Sequence, residues 1–163
     1  MTNEAGSISV PMTIHGKRLL EEELRHLKTV ERPSVIKAIE EARSNGDLSE
    51  NADYAAAKER QGFVEGRIQE INAKLSMAQV IDPATIRTDK IVFGATVLLS
   101  DQNSGKEISY KIVGVDESDI KANKISISSP LARALIGKKT GDEVTVNAPR
   151  GAVLYDVVEI RYE

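Results

Sequence analysis

The sequence predicts an α+β protein, an N-terminal antiparallel α-helical hairpin followed by a C-terminal β-rich domain. Three observations lead there. Two stretches with the apolar spacing of a coiled coil flank one short acidic turn, Gly46-Asp47-Leu48-Ser49-Glu50-Asn51-Ala52-Asp53-Tyr54. The pattern changes at Asp82-Pro83, beyond which short apolar runs alternate with turn residues. And 163 residues suffice for one domain or two small ones, since domains of about 100–150 residues are commonest. The expected division is 1–82 for the hairpin and 83–163 for the second domain.

Taken in order, residues 1–12 carry Gly, Ser and Pro and read as irregular. From about Thr13 the pattern is helical, with Leu20, Leu24 and Leu27 on one face. Val35, Ala38, Ile39 and Ala42 continue the stripe beyond Pro33. Proline lacks a backbone donor and disfavours helical geometry at the preceding residue, here Arg32. A kink or a shift of the stripe is therefore expected near Pro33, not the end of the arm. Ser44-Asn45-Gly46 supplies the stop, with Gly46 suited to a left-handed cap.

In the second arm Ala57, Gln61, Val64, Ile68, Ile71, Leu75 and Ala78 follow an unbroken 4,3 spacing. Gly62 and Gly66 each cost about 1 kcal/mol inside a helix and are read as allowing close approach of the first arm. A turn this short makes the two helices antiparallel. At 1.5 Å per residue, about 30 residues give an arm of roughly 45 Å.

Beyond Pro83, strands are predicted over 92–100, 107–116, 124–128, 143–147 and 153–162, too few for a sandwich. Asn103-Ser104-Gly105 marks a hairpin connection, and Leu131–Ile136 a short helix stopped by Gly137. Asp82-Pro83 is a plausible hinge.

Composition excludes several function classes. Aromatic residues are 4% of the chain and Trp is absent, so the core is aliphatic and a base-stacking platform is not expected. A net charge of −3 provides no bulk attraction to nucleic acid or anionic membrane, so any nucleic-acid contact must be local. Without cysteine there is no disulfide, thiolate zinc site or cysteine nucleophile, and His15 and His26 alone make a multi-histidine metal site improbable. The N-terminus has no charged segment leading into an apolar run, and no apolar stretch approaches the ~20 residues that span a bilayer. The expectation is a cytoplasmic protein with no membrane partner. A hairpin closed within one chain needs no partner helix, which points to a monomer.

The turn admits two readings. Asp47 and Glu50 stand three apart just before a helix, the spacing of a capping box, with Ser49 as an alternative N-cap and Asp53 in the first turn. The same carboxylates can converge on a divalent ion. Two alone make a poor dedicated site, because magnesium takes six oxygens in near-octahedral geometry and commonly keeps waters. Such a tip would complete a site only where a partner supplies further ligands, as two-metal phosphoryl chemistry does. Arg43 and Lys58 flank the turn and can contact phosphates or remain solvated; Arg43 has Glu40 three residues before it. Tyr54 reads as packing at the turn.

The run GDLSENADYAAAKERQGFVEGRIQEI closely resembles the tip and second helix of the bacterial Gre transcript cleavage factors. ERPSVIKAIEEAR is similar to their first arm, including Pro33. AQVID, VFGATV, ISISSPLARALIGKKTGDEV and the last strand are similar to their second domain. The resemblance covers about residues 11–163 and is nearer the GreA branch than the GreB branch, whose arm is typically more basic.

The resemblance implies a coiled coil followed by an FKBP-like domain. It implies bacterial RNA polymerase as partner, with the coiled coil entering the secondary channel and reaching the nascent RNA 3′ end. Asp47 and Glu50 fall on the family's key acidic tip positions, where they help hold the polymerase's second magnesium ion and an attacking water. Arg43 and Lys58 fall on the flanking basic positions, and Ser129 and Pro130 in the polymerase-docking loop. No cofactor would be tightly bound; the Mg²⁺ is shared with the polymerase. The chain would activate another enzyme's nuclease without being one.

Three rivals stand beside this reading. A Gre-like inhibitor would enter the same channel and block it, but the retained DLSEN run argues against one. A prolyl isomerase needs an aromatic-lined pocket, and residues 83–163 offer only Phe93, Tyr110, Tyr155 and Tyr162. A coiled-coil adaptor would leave the acidic tip unexplained.

Overall fold

Why the first arm survives Pro33 is answered by one extra residue. The computed structural model describes residues 9–47 and 51–163. Helix α1 (Ile14–His26) runs into a π-helical turn at Leu27–Glu31 and then into α2 (Arg32–Arg43). In that turn the Arg32 N–H donates to the Leu27 carbonyl, a wider ring than the α-helix closes. The apolar positions Leu20, Leu24 and Leu27 would continue in register at 31, 34 and 38, yet the buried residues are Val35, Ile39 and Ala42. The π turn absorbs that one-residue shift. Pro33 then occupies the first turn of α2, where its missing N–H costs little. The expected interruption is present, just upstream of the proline.

Helix α3 (Ala52–Ser76) returns along the first arm. Val35 and Ile39 pack with Ala57, Val64 and Ile68, and Leu24, Leu27, Ala38 and Tyr54 close the flanks of this core. Cross-arm pairs confirm the antiparallel sense: Arg32 meets Glu65, and the earlier Glu23 meets the later Arg67. Gly62 and Gly66 do not serve close approach; both are exposed, and a Cβ added to either would meet nothing within 4 Å.

The chain divides into two compact units, Lys17–Ala78 and a second made of Ser9–Gly16 with Gln79–Glu163. Residues 9–16 thus belong with the C-terminal unit instead of the hairpin. The reason is strand β1 (Val10–Thr13), which pairs with β2 (Ala78–Ile81) in a small two-stranded sheet. Neither strand is visible in the sequence: four residues carry too little alternation, and Pro11 argues against a strand.

The main sheet has the order β5-β4-β3-β7-β6, with β3 at Thr96–Asp101, β4 at Glu107–Val113, β5 at Lys124–Ser126, β6 at Glu143–Ala148 and β7 at Gly151–Arg161. All neighbours are antiparallel except β4 and β5. Helix α4 (Pro130–Leu135) covers one face, burying Ala132 and Leu135 against Val97, Leu99, Ile112, Val144 and Val157. The β3–β4 connection passes through Gly105 at φ 72°, and α4 ends before Gly137 at φ 87°. The α+β class and all five expected strands are present. Phe93, Tyr110, Tyr155 and Tyr162 pack against this core, and the Tyr162 hydroxyl also accepts from the Val92 N–H and donates to the Lys90 carbonyl.

At the start of α1 the Thr13 hydroxyl oxygen accepts from the Gly16 N–H at 3.0 Å and donates to the carboxylate of Glu117. Glu117 is 7% exposed, a charge beside the positive end of a helix. Among the described residues no helix is long and apolar enough to cross a membrane.

Candidate functional site

The end of α2 and the start of α3 build the tip. The Ser44 N–H donates to Glu40 and the Asn45 N–H to Ala42, closing α2. Gly46 follows at φ 104°, a backbone conformation that side-chain-bearing residues rarely adopt. Asp47 comes next, exposed and outside either helix. Leu48, Ser49 and Glu50 lie outside the described residues, and so does the expected convergence of Glu50 with Asp47.

The N-cap of α3 is Asn51, not Asp47 or Ser49. Its Oδ1 accepts from the Tyr54 N–H at 3.1 Å. Its Nδ2 donates to the Ala42 carbonyl at 2.6 Å, across the hairpin. The amide orientation follows from these partners, since only one places the acceptor on an N–H and the donor on a C=O. Asp53 occupies the first turn of α3, where the helix dipole favours an acid. Sequence reasoning passed over Asn51, although asparagine is among the best N-caps and stands immediately before the helix.

Arg43 is exposed, with its guanidinium 6.0 Å from the centroid of the Tyr54 ring, a cation–π distance that angles it toward the second arm. Tyr54 packs on the hairpin core, as expected. Lys58 is exposed on α3 and donates to Gln61 at 2.9 Å. The structure therefore places Asp47, Arg43 and Lys58 at or beside the end of the hairpin. Ser129 and Pro130 belong to the other unit: Ser129 N-caps α4 by accepting from the Ala132 N–H, and Pro130 opens that helix, exposed.

Behind the tip, arginine–carboxylate pairs tie the arms together. Arg32 grips both oxygens of Glu65 at 2.7 and 2.8 Å, and Arg67 grips Glu23 at the same distances. Arg60 meets Glu31 of the π turn at 2.7 Å. These guanidiniums, hydrogen-bonded to the carboxylates, hold Glu23, Glu31 and Glu65 below the usual carboxylate range. Bidentate geometry fixes orientation as well as charge, so the pairs resist sliding of one arm on the other.

Among the described residues no group of three or more His, Cys, Asp or Glu can hold a metal ion. The Asp47 carboxylate, at an exposed turn, is a hard oxygen donor of the type magnesium accepts.

An antiparallel helical hairpin cross-linked by arginine–carboxylate pairs, with a separate unit built on a five-stranded sheet, is the class of fold to which the chain belongs. The chain belongs to the GreA/GreB family of transcription elongation factors. Residues 10–80 match "Transcription elongation factor, N-terminal" and residues 86–162 match "Transcription elongation factor, GreA/GreB, C-term". The chain is similar to transcription elongation factor GreA of Alkalilimnicola ehrlichii, 62% identical over 154 residues, covering 94% of this chain and 98% of that one. It is 62% identical over 155 residues to GreA of Verminephrobacter eiseniae, with the same coverage. Among solved structures, GreA factor homolog 1 of Thermus thermophilus aligns with 94% of this chain and 99% of its own at 26% identity and a TM-score of 0.43.

Proposed function

We propose that this elongation factor is a transcript cleavage factor. It binds bacterial RNA polymerase, passes its hairpin through the secondary channel and stimulates the polymerase's own hydrolysis of backtracked nascent RNA. The observation that carries this reading is the cap. The duty that competed for the tip acids, capping α3, is performed by Asn51. Helix α3 alone, 25 residues at 1.5 Å each, gives a reach of about 37 Å, enough to bring a carboxylate deep into a partner's cavity.

Asp47 and Glu50 would hold the shared Mg²⁺ only together with ligands of the polymerase, because two carboxylates fall short of the six oxygens that magnesium takes. When bound, that ion supplies Lewis-acid stabilisation of charge at the scissile phosphate. The chain's own part is to place two carboxylates beside the RNA 3′ end, where one can accept a hydrogen bond from a water and orient it. Arg43 and Lys58, exposed on opposite arms, supply positive charge to the RNA phosphates. Ser129 and Pro130 present the loop that docks on the polymerase, and the factor acts as a cytoplasmic monomer.

The test is RNA cleavage in a purified backtracked polymerase complex with Mg²⁺. The Asp47→Ala, Glu50→Ala variant is expected to bind polymerase as the parent does and to lose about 10²-fold or more of the stimulated rate. A parent that binds but slows cleavage would instead make the protein a channel-blocking inhibitor.

A further inference from the structure

We infer that Asn51 is a positioning residue for the tip acid Asp47: it joins the end of α2 to the start of α3, and the capping of α3 is only half of its role. The inference rests on the cleavage-factor reading above.

Ala42 is the last buried residue of α2, 2% exposed, and Asn51 is the residue before α3. The eight residues between them include Asp47 and Glu50. Oδ1 of Asn51 fixes the start of α3 through Tyr54, and Nδ2 fixes the end of α2 through Ala42, whose carbonyl also accepts from Asn45. The end of α2 and the start of α3 are thereby held together by one rigid amide plane. Tyr54, reached by the same cap, packs on the hairpin core and carries Arg43 near its ring, so the clasp is anchored to both arms.

The choice of residue is specific to the two tasks. Serine, threonine and aspartate cap a helix as well as asparagine does, because each offers an acceptor. None of them offers, at the same time, an amide donor that reaches a carbonyl on the opposite arm. If capping were the whole role, Asp or Ser would serve equally. A carboxylate that must meet a shared ion and a water tolerates little misplacement, since displacements near 1 Å can cost about 10²-fold in rate.

The test compares Asn51→Ser, Asn51→Asp and Asn51→Ala in the full chain, with the Asp47→Ala, Glu50→Ala variant as baseline. Ser and Asp keep the cap and lose the clasp; Ala loses both. The readouts are thermal unfolding of the helices, the factor concentration giving half-maximal cleavage, and the maximal cleavage rate titrated against Mg²⁺. Ser and Asp are expected to unfold and to half-saturate the polymerase like the parent. Their maximal rates should fall at least tenfold, and the Ser variant should need more Mg²⁺. A Ser variant with the parent's maximal rate and Mg²⁺ dependence overturns the inference, whatever Ala does. If the baseline variant itself cleaves at the parent rate, it is the cleavage-factor reading that fails.

Discussion

Two glycines show how the sign of one substitution is set by surroundings alone. Gly16, in the first turn of α1, faces the buried Glu117; a Cβ there would stand 2.8 Å from Oε2. That oxygen is engaged by Thr13, so the carboxylate cannot swing away without giving up the bond and exposing a buried charge to poorer company. Gly62 sits in the interior of α3 with open space around it. Alanine at Gly62 relieves only backbone entropy and is expected to stabilise the protein by about 0.5–1 kcal/mol. Alanine at Gly16 is expected to destabilise it by about 1–3 kcal/mol through overpacking. Thermal unfolding of the two variants checks both; a stabilising Gly16→Ala would mean the Thr13–Glu117 contact contributes nothing. The sequence made Gly62 look like the crowded position and left Gly16 unremarked. Crowding depends on residues about a hundred positions away, and local spacing carries no trace of them.

At the scale of elements, the hairpin's rigidity is electrostatic as well as apolar, and the carboxylates make it pH-dependent. Glu23, Glu31, Glu65 and Glu70 all titrate below their ordinary value, chiefly because arginine or lysine side chains hydrogen-bond their ionised forms. A depressed folded-state value means the stabilisation is fully present above the unfolded carboxylate range, near pH 4.3, and is lost as pH falls through the lower folded values. Helix melting followed at 222 nm should therefore drop in temperature on acidification from pH 5 toward pH 2. Arg67→Ala should remove more of that drop than Lys37→Ala. Arg67 engages Glu23 with two bonds and also Glu70, whereas Lys37 meets Glu41 at 4.0 Å with both ends well exposed. Equal melts at pH 5 and pH 2 would show the pairs to be ornamental. These elements were the most legible part of the chain. The 4,3 stripes named the buried faces of α2 and α3, and the one-residue slip in the stripe around Pro33 corresponds to the π turn. The cap was misassigned because Asp47 and Glu50 match a capping pattern locally, while the partner that singles out Asn51, the Ala42 carbonyl, lies on the other arm. The two small strands were missed because pairing partners nearly seventy residues apart leave no periodicity in either.

At the scale of the whole molecule, the two units keep separate apolar cores. One runs from Val35 to Ile68 within the hairpin, and the other from Ile91 to Val157 around the five-stranded sheet, with no residue in common. Loss of packing in one should then leave the other standing. Leu99 is the place to test this. It is fully buried in β3, opposite Ile108 of β4 on one side and Val157 of β7 on the other, beside the register shift between Leu98 and Leu99. Truncation to alanine is expected to cost about 2–5 kcal/mol. Amide exchange should quicken across β3, β4 and β7, whose opening shares that lost stability. The amides of α3 between Ala57 and Ile68 should exchange as in the parent, because that stretch packs in the hairpin core with Val35 and Ile39. The tyrosines divide usefully: Tyr54 reports the hairpin, and Tyr110, Tyr155 and Tyr162 report the sheet unit. If the α3 amides and Tyr54 respond to Leu99→Ala as strongly as the sheet does, the molecule unfolds as one cooperative body and the separation of cores has no thermodynamic meaning. If they do not, a factor can lose stability in the unit that carries Ser129 and Pro130 while its acidic tip stays built. On the proposed function, polymerase binding would then weaken, with the maximal cleavage rate at saturation retained.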